Sequence, residues 1–260
     1  MKPPILFPQS IIPQPKLNPM KKLFLMASIA ILMASCEGGM LTPKGPLGEL
    51  PALVKQTDQK FIELREQMLN ETDEVKVGEI FAEGAQLDKE FEQTIDELAG
   101  KLVGVEIPVE VADGAGVALN GPLTVAEVSH KVNGVKIVLT AEGVLTAEGS
   151  YDPKAEGRLQ LAKVTAYLSD SDGNPFYQSG NIEFDPGTKA YPVGQAFTLT
   201  IPLAMEAYNA DAFEALDKVV VTLRADDNCR VAREADQKAK KAYKNSLKVK
   251  ADHIEKPAAE

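Results

Sequence analysis

The chain has 260 residues, with 28 Lys and Arg against 38 Asp and Glu, a formal net charge of -10, and 44 % apolar side chains. That acidic balance excludes nucleic acid as a partner, because the protein's field repels phosphate instead of gathering it. Two cysteines exclude a disulfide framework, so an apolar core must hold the fold together, and a chain of this length can bury one.

Residues 1–19, MKPPILFPQSIIPQPKLNP, carry six prolines and fit neither a targeting signal nor a folded element. They read as an upstream extension, with translation starting at Met20. From there the pattern changes. Lys21 and Lys22 are followed by thirteen uncharged, mostly apolar residues, Leu23 to Ser35, and then by Cys36. Crossing a bilayer takes about 20 apolar residues. The run is too short for that, but it fits the apolar centre of a secretory signal, which also wants a basic front and small residues at the cut.

Leu32-Met33-Ala34-Ser35-Cys36 resembles the lipobox of bacterial lipoproteins, in which an aliphatic residue and two small ones precede a cysteine that is lipidated and becomes the new N-terminus. Met33 departs from the Leu usual at its position. The resemblance implies residues 1–35 as a removed segment, a covalent lipid such as palmitate on Cys36, and an exported protein anchored to a membrane by lipid. It faces the periplasm or the cell surface, with the outer membrane as the expected site. The mature chain then holds 24 basic against 38 acidic side chains, a balance of -14, so charge does not draw it to an anionic lipid surface.

Residues 36–51, rich in Gly, Pro and Leu without periodicity, read as a tether. Residues 52–103 read as a helical hairpin. In 52–69 Val54, Phe61, Ile62, Leu64, Met68 and Leu69 mark one stripe. In 73–101 Val77, Ile80, Phe81, Ala85, Leu87, Phe91, Ile95 and Leu98 mark another at three-and-four spacing. Asn70-Glu71-Thr72-Asp73 supplies capping oxygens between them.

After Gly104 the apolar period drops to two. Val105, Ile107, Val109 and Val111 alternate with Glu106, Pro108 and Glu110, and the proline marks an edge strand. Further strands are read at 121–132, 135–148, 158–169, 175–184, 195–204 and 217–225. Asn133-Gly134 and Asp172-Gly173 supply hairpin turns, and a phase slip between Leu161 and Val164 reads as a bulge. In the tandem VLTAEGVLTAEG, Val138 to Gly149, Val138 and Val144 share one strand face while Leu139 and Leu145 share the other; either a long strand bends at Gly143 or a turn opens at Glu142-Gly143.

Residues 104–260 thus read as a β-sandwich domain closing with a short helix over 230–244 and a last strand carried by Leu247, Val249 and Ala251. Over roughly 104–226 the pattern resembles in a general way the immunoglobulin-like domains of exported bacterial proteins, without their cysteine pair or tryptophan. The expected class is α+β: helical hairpin, antiparallel sandwich, C-terminal helix.

No catalytic residue set emerges. His130 and His253 lie far apart in sequence, and Ser129 beside His130 points to the opposite strand face. Asp170, Asp172 and Asn174 place oxygen ligands at alternate positions, as a calcium loop begins, but Pro175 and Asn181 stand where an EF-hand needs Gly and Glu; a plain hairpin turn is the competing reading. Cys229 is left as a lone thiol if Cys36 carries lipid. Arg230, Arg233, Lys240, Lys241 and Lys244 form a basic run, either a solvated face offsetting the acidic body or a docking surface for an acidic or anionic partner. Glycan binding would need aromatic platforms, for which Tyr151, Tyr167, Phe176, Tyr177, Tyr191 and Tyr208 are the candidates. The expected role is a non-enzymatic binding or assembly module of the cell envelope, with a surface glycan-handling protein as the alternative and an envelope enzyme third.

Overall fold

The structure, a computed structural model, describes residues 45–150, 164–179, 190–222 and 226–254. It is mixed α+β. Helix α1 spans Leu50–Asn70 and α2 spans Glu74–Leu102. Between them Glu71 accepts from the backbone N–H groups of Thr72 and Asp73, and Asp73 Oδ1 accepts from Val75 N at 2.9 Å, capping α2 as the capping residues predict. The strands are β1 (Glu106–Ile107), β2 (Val109–Val111), β3 (Val117–Leu119), β4 (Leu123–Lys131), β5 (Gly134–Leu145), β6 (Gly149–Ser150), β7 (Thr165–Asp170), β8 (Pro175–Gln178), β9 (Ala190–Tyr191), β10 (Ala196–Glu206) and β11 (Leu216–Thr222). Helix α3 (Ala210–Glu214) lies between β10 and β11, and α4 (Asp227–Ile254) closes the chain.

One sheet runs β1-β4-β5-β10, with β3 pairing β5 beyond the end of β4; a second runs β2-β11-β7-β8; β6 and β9 form a short pair. All pairings are antiparallel except β2 with β11. The chain passes from the edge of the first sheet to the edge of the second at Pro108, whose carbonyl accepts from Val219 N at 3.0 Å. A proline suits this corner, because its missing donor would belong to neither ladder.

Alternation sorts each sheet's faces. Val125, Ile137, Leu139, Leu199 and Ile201 of the first sheet and Ala166, Leu168, Val219 and Val221 of the second share one apolar core with Leu47, Leu50, Ile95 and Phe213. The first sheet's other face is wet, carrying the pairs Lys136–Glu127 and Lys131–Glu206. The second sheet's other face is covered by α4, where Tyr167 and Val220 pack on Cys229 and Ala232. Strand β7 is therefore buried on both sides.

Several expectations change. The strand order is not the ABED and CFG pattern of immunoglobulin domains. Consecutive β4 and β5 pair directly through their tight turn, while consecutive β10 and β11 are split between sheets because α3 carries the chain across. The C-terminal helix is 28 residues long and contains Leu247, Val249 and Ala251, so there is no last strand there. Lys- and Ala-rich sequence favours helix strongly enough to override a brief alternation. From Gly45 the expected tether belongs to the body: Leu47 and Leu50 are buried, and a Cβ on Gly45 would lie 2.7 Å from the Glu214 carbonyl oxygen. Strand β5 runs unbroken through Gly143, where its partner changes from β4 to β3. The slip between Leu161 and Val164, and the outer parts of the strands read at 158–169 and 175–184, lie outside the described residues.

Candidate interaction surfaces

Helices α1 and α2 bury side chains only at their body ends: Leu50, Pro51, Val54 and Thr57 of α1, and Phe91, Ile95 and Leu102 of α2. None of residues 58–90 is buried. Thirteen residues of α1 follow Thr57, so the pair extends as an arm for about 20 Å at 1.5 Å per helical residue. Its two helices are held together along Leu64 and Gly84. The arm's root is fixed by Ile95 in the core, by Phe91 edge-on to His130 at 5.4 Å, and by an ion pair of Lys55 with Asp211 of α3.

Apolar residues on α2 fall on two sides. Val77, Ile80 and Leu87 are part-buried, in line with Gly84, which meets Leu64 of α1. Val75 and Phe81 are each 73 % exposed, and with Gly78, Ala82 and Ala85 they line a second, solvent-facing strip; Leu69 at the end of α1 is 52 % exposed. Phe81 and Ala85, expected on the packed stripe, therefore face water. The signal was present in the sequence: apolar and small residues over 75–87 cover too wide an arc for one contact. Residues 58–90 carry ten acidic and four basic side chains, so the strip sits in a negative field.

Helix α4 presents the opposite sign, and a polar cluster locks it to the body. Asp236 accepts from Tyr208 Oη and from Asn209 Nδ2, both at 3.3 Å, and Tyr243 Oη donates to the Asp58 carboxylate at 2.6–2.7 Å. Burial, and then the nearby Glu206 charge, push Asp236 above the usual aspartate range against the pull of its hydrogen bonds and Lys240. Burial likewise raises Tyr208 and Tyr243, each reinforced by its carboxylate partner. These residues come from distant parts of the chain, and no local spacing could have grouped them.

Comparison with known protein families, curated proteins and solved structures finds no match to this chain.

The basic run divides by position. Arg230 pairs with Asp227 and Glu234 on its own helix, Arg233 Nε donates to Gln178 at 2.8 Å, and Lys240 lies 5.2 Å above the Tyr208 ring. Lys241 and Lys244 are exposed. Asp170, Asp172 and Asn174 sit on the β7–β8 turn, where Asp170 accepts from Asp172 N, Asn174 N and Asn174 Nδ2 at 2.8–3.0 Å. Desolvation works to raise its pKa, but these hydrogen bonds outweigh it and hold the carboxyl below its ordinary value. The Asp170 carboxylate thus closes the turn. Among the described residues no group of three His, Cys, Asp or Glu is arranged to hold a metal ion.

Cys229 is fully buried, with its thiol 3.3 Å from Thr165 Oγ1. His130 Nε2 lies 3.4 Å from Asp88 Oδ1, within ion-pair reach but off the line of a hydrogen bond. Of the aromatic candidates, Tyr167 is buried and bonded to Asn228, Phe176 and Tyr177 pack on Phe213, and Tyr208 lies under Lys240. Cys36 and Tyr151, and the side chains of Tyr191 and His253, fall outside what is described. No helix among the described residues is long and apolar enough to cross a membrane.

Proposed function

We propose that this protein is an exported, lipid-anchored component of a bacterial cell envelope, held to a membrane by lipid on Cys36, and that its body is a non-enzymatic binding or assembly module. In this reading α1 and α2 are a helical hairpin mounted on a β-sandwich, and the protein stands at the periplasmic or cell-surface face of the outer membrane. The address rests on the basic front, the thirteen-residue apolar run and the Leu-Met-Ala-Ser-Cys sequence. Acyl chains contribute about 0.8 kcal/mol per buried methylene, so more than one chain holds the protein durably without a protein span.

The observation that carries the binding role is the arm. A helix pair that spends half its length outside the body and turns Val75 and Phe81 to water keeps an apolar strip that packing could have hidden. Soluble surfaces retain such strips where a partner covers them. The glycan alternative gains no support from Tyr167, Phe176 and Tyr177, which are engaged in packing.

The test is fractionation and palmitate labelling of the wild type beside Cys36→Ser, combined with in-cell crosslinking. The wild type is expected in the membrane fraction carrying label, and Cys36→Ser in the soluble fraction without it. A Cys36→Ser protein that still sediments with membranes overturns the anchor, and an arm that crosslinks to no protein overturns the binding role.

A further inference from the structure

The charge pattern names a partner for the arm. Its exposed strip, Val75, Gly78, Phe81 and Ala85, includes Glu74, two turns before Phe81 on the same side of α2. A second arm cannot cover it, because two surfaces with ten acidic against four basic side chains repel on approach. The occupant must offer an apolar line between cations. Helix α4 has that composition: residues 230–250 hold eight basic and two acidic side chains, and Val231, 41 % exposed, and Ala242 lie outward beside Lys238 and Lys241. In its own chain α4 meets α1 near the arm's root, where Tyr243 reaches Asp58, about 18 Å along α1 from Asn70 at 1.5 Å per residue. The fold thus holds the tip strip away from its own basic helix.

We propose that the arm of one copy docks on the outer face of α4 of a second copy, the exchange being reciprocal in a two-fold dimer. Phe81 then enters the apolar line of α4, and Glu74 meets Lys238 and Lys241. The small residues beside Phe81 let the two helices approach closely. A two-fold axis repeats the contact and closes the assembly, so no apolar strip is left over to drive filaments. This rests on the assembly reading above and names its partner.

The test places a photoreactive phenylalanine analogue at position 81 of the full chain in cells. The expected result is an adduct of two copies whose crosslinked peptide lies within residues 230–244. Glu74→Lys should lower its yield roughly tenfold, as loss of a central contact does. Combining Glu74→Lys with Lys241→Glu should restore it, which a merely misfolded arm would not do. Both positions are exposed, and unchanged circular dichroism checks the fold. An adduct with a different protein overturns the second copy as occupant while leaving the assembly reading in place. No protein adduct at all overturns both. Loss of yield in Glu74→Lys without restoration by Lys241→Glu overturns the assigned pairing.

Discussion

At the scale of single residues, the β4–β5 turn shows how a correct motif can have a different cause. Asn133-Gly134 is visible as a turn signal, and Asn133 does adopt the left-handed conformation at φ 65°. Gly134, however, is already the first residue of β5, and a Cβ there would lie 2.1 Å from the Met205 carbonyl oxygen of β10. Glycine is required by β10, a strand read at 195–204 whose pairing with β5 the sequence alone did not place. Gly134→Ala is expected to cost about 1–3 kcal/mol through forced displacement of β10, read as a lowered denaturation midpoint; an unchanged midpoint would show that β10 does not crowd this position. Asp236 makes a pH prediction. Its pKa in the folded state is raised above the ordinary 3.8, with burial the largest cause, so its ionisation favours unfolding. The stability it contributes is fully present below that ordinary value and is lost as pH rises through the raised one. Asp236→Asn should therefore gain in melting temperature relative to the wild type as pH rises across this window, and a relative loss would reverse the sign of the assignment.

At the scale of elements, helices α1 and α2 and most strands of the first sheet were legible because their periodicity is long and clean. Leu199 and Ile201 alternate inward as expected, and α1 and α2 begin and end within two residues of their predicted limits. What periodicity could not decide is which apolar stripe packs when an element has two. Phe81 belonged to the right helix and the wrong side. It also could not tell a last strand from the end of α4, where helix propensity outweighs alternation. The arm should be the least protected element outside the chain termini. Amides over 61–88 are expected to exchange faster than those of β5, whose inner side chains are buried, while α2 from Phe91 to Leu102 stays protected. Ile95→Ala should cost about 2–5 kcal/mol and extend fast exchange into that root; exchange confined to the distal arm in this variant would mean that Ile95 does not seat it.

At the scale of the whole molecule, the sequence reading placed the mixed class but not the topology. Pro108 signalled an edge, and the structure makes it the corner joining two sheets; that required knowing that β2 runs parallel to β11, a long-range pairing with no local signature. The cluster around Asp236 was invisible for the same reason. Phe213, on a five-residue helix, holds the strand crossover by packing on Phe176 and Tyr177. Phe213→Ala is expected to cost about 3–5 kcal/mol, measured by chemical denaturation, and a loss below about 1 kcal/mol would show that the core collapses around the gap. The proposed address, by contrast, rests entirely on residues 20–36. The central claim is that Cys36 is the lipidated first residue of the mature protein, and intact mass spectrometry of the membrane-extracted chain tests it most directly. The predicted result is a chain beginning at Cys36 with the added mass of a diacylglyceryl group, absent from Cys36→Ser. A chain that retains residues N-terminal to Cys36, or that begins beyond it without added mass, would contradict it.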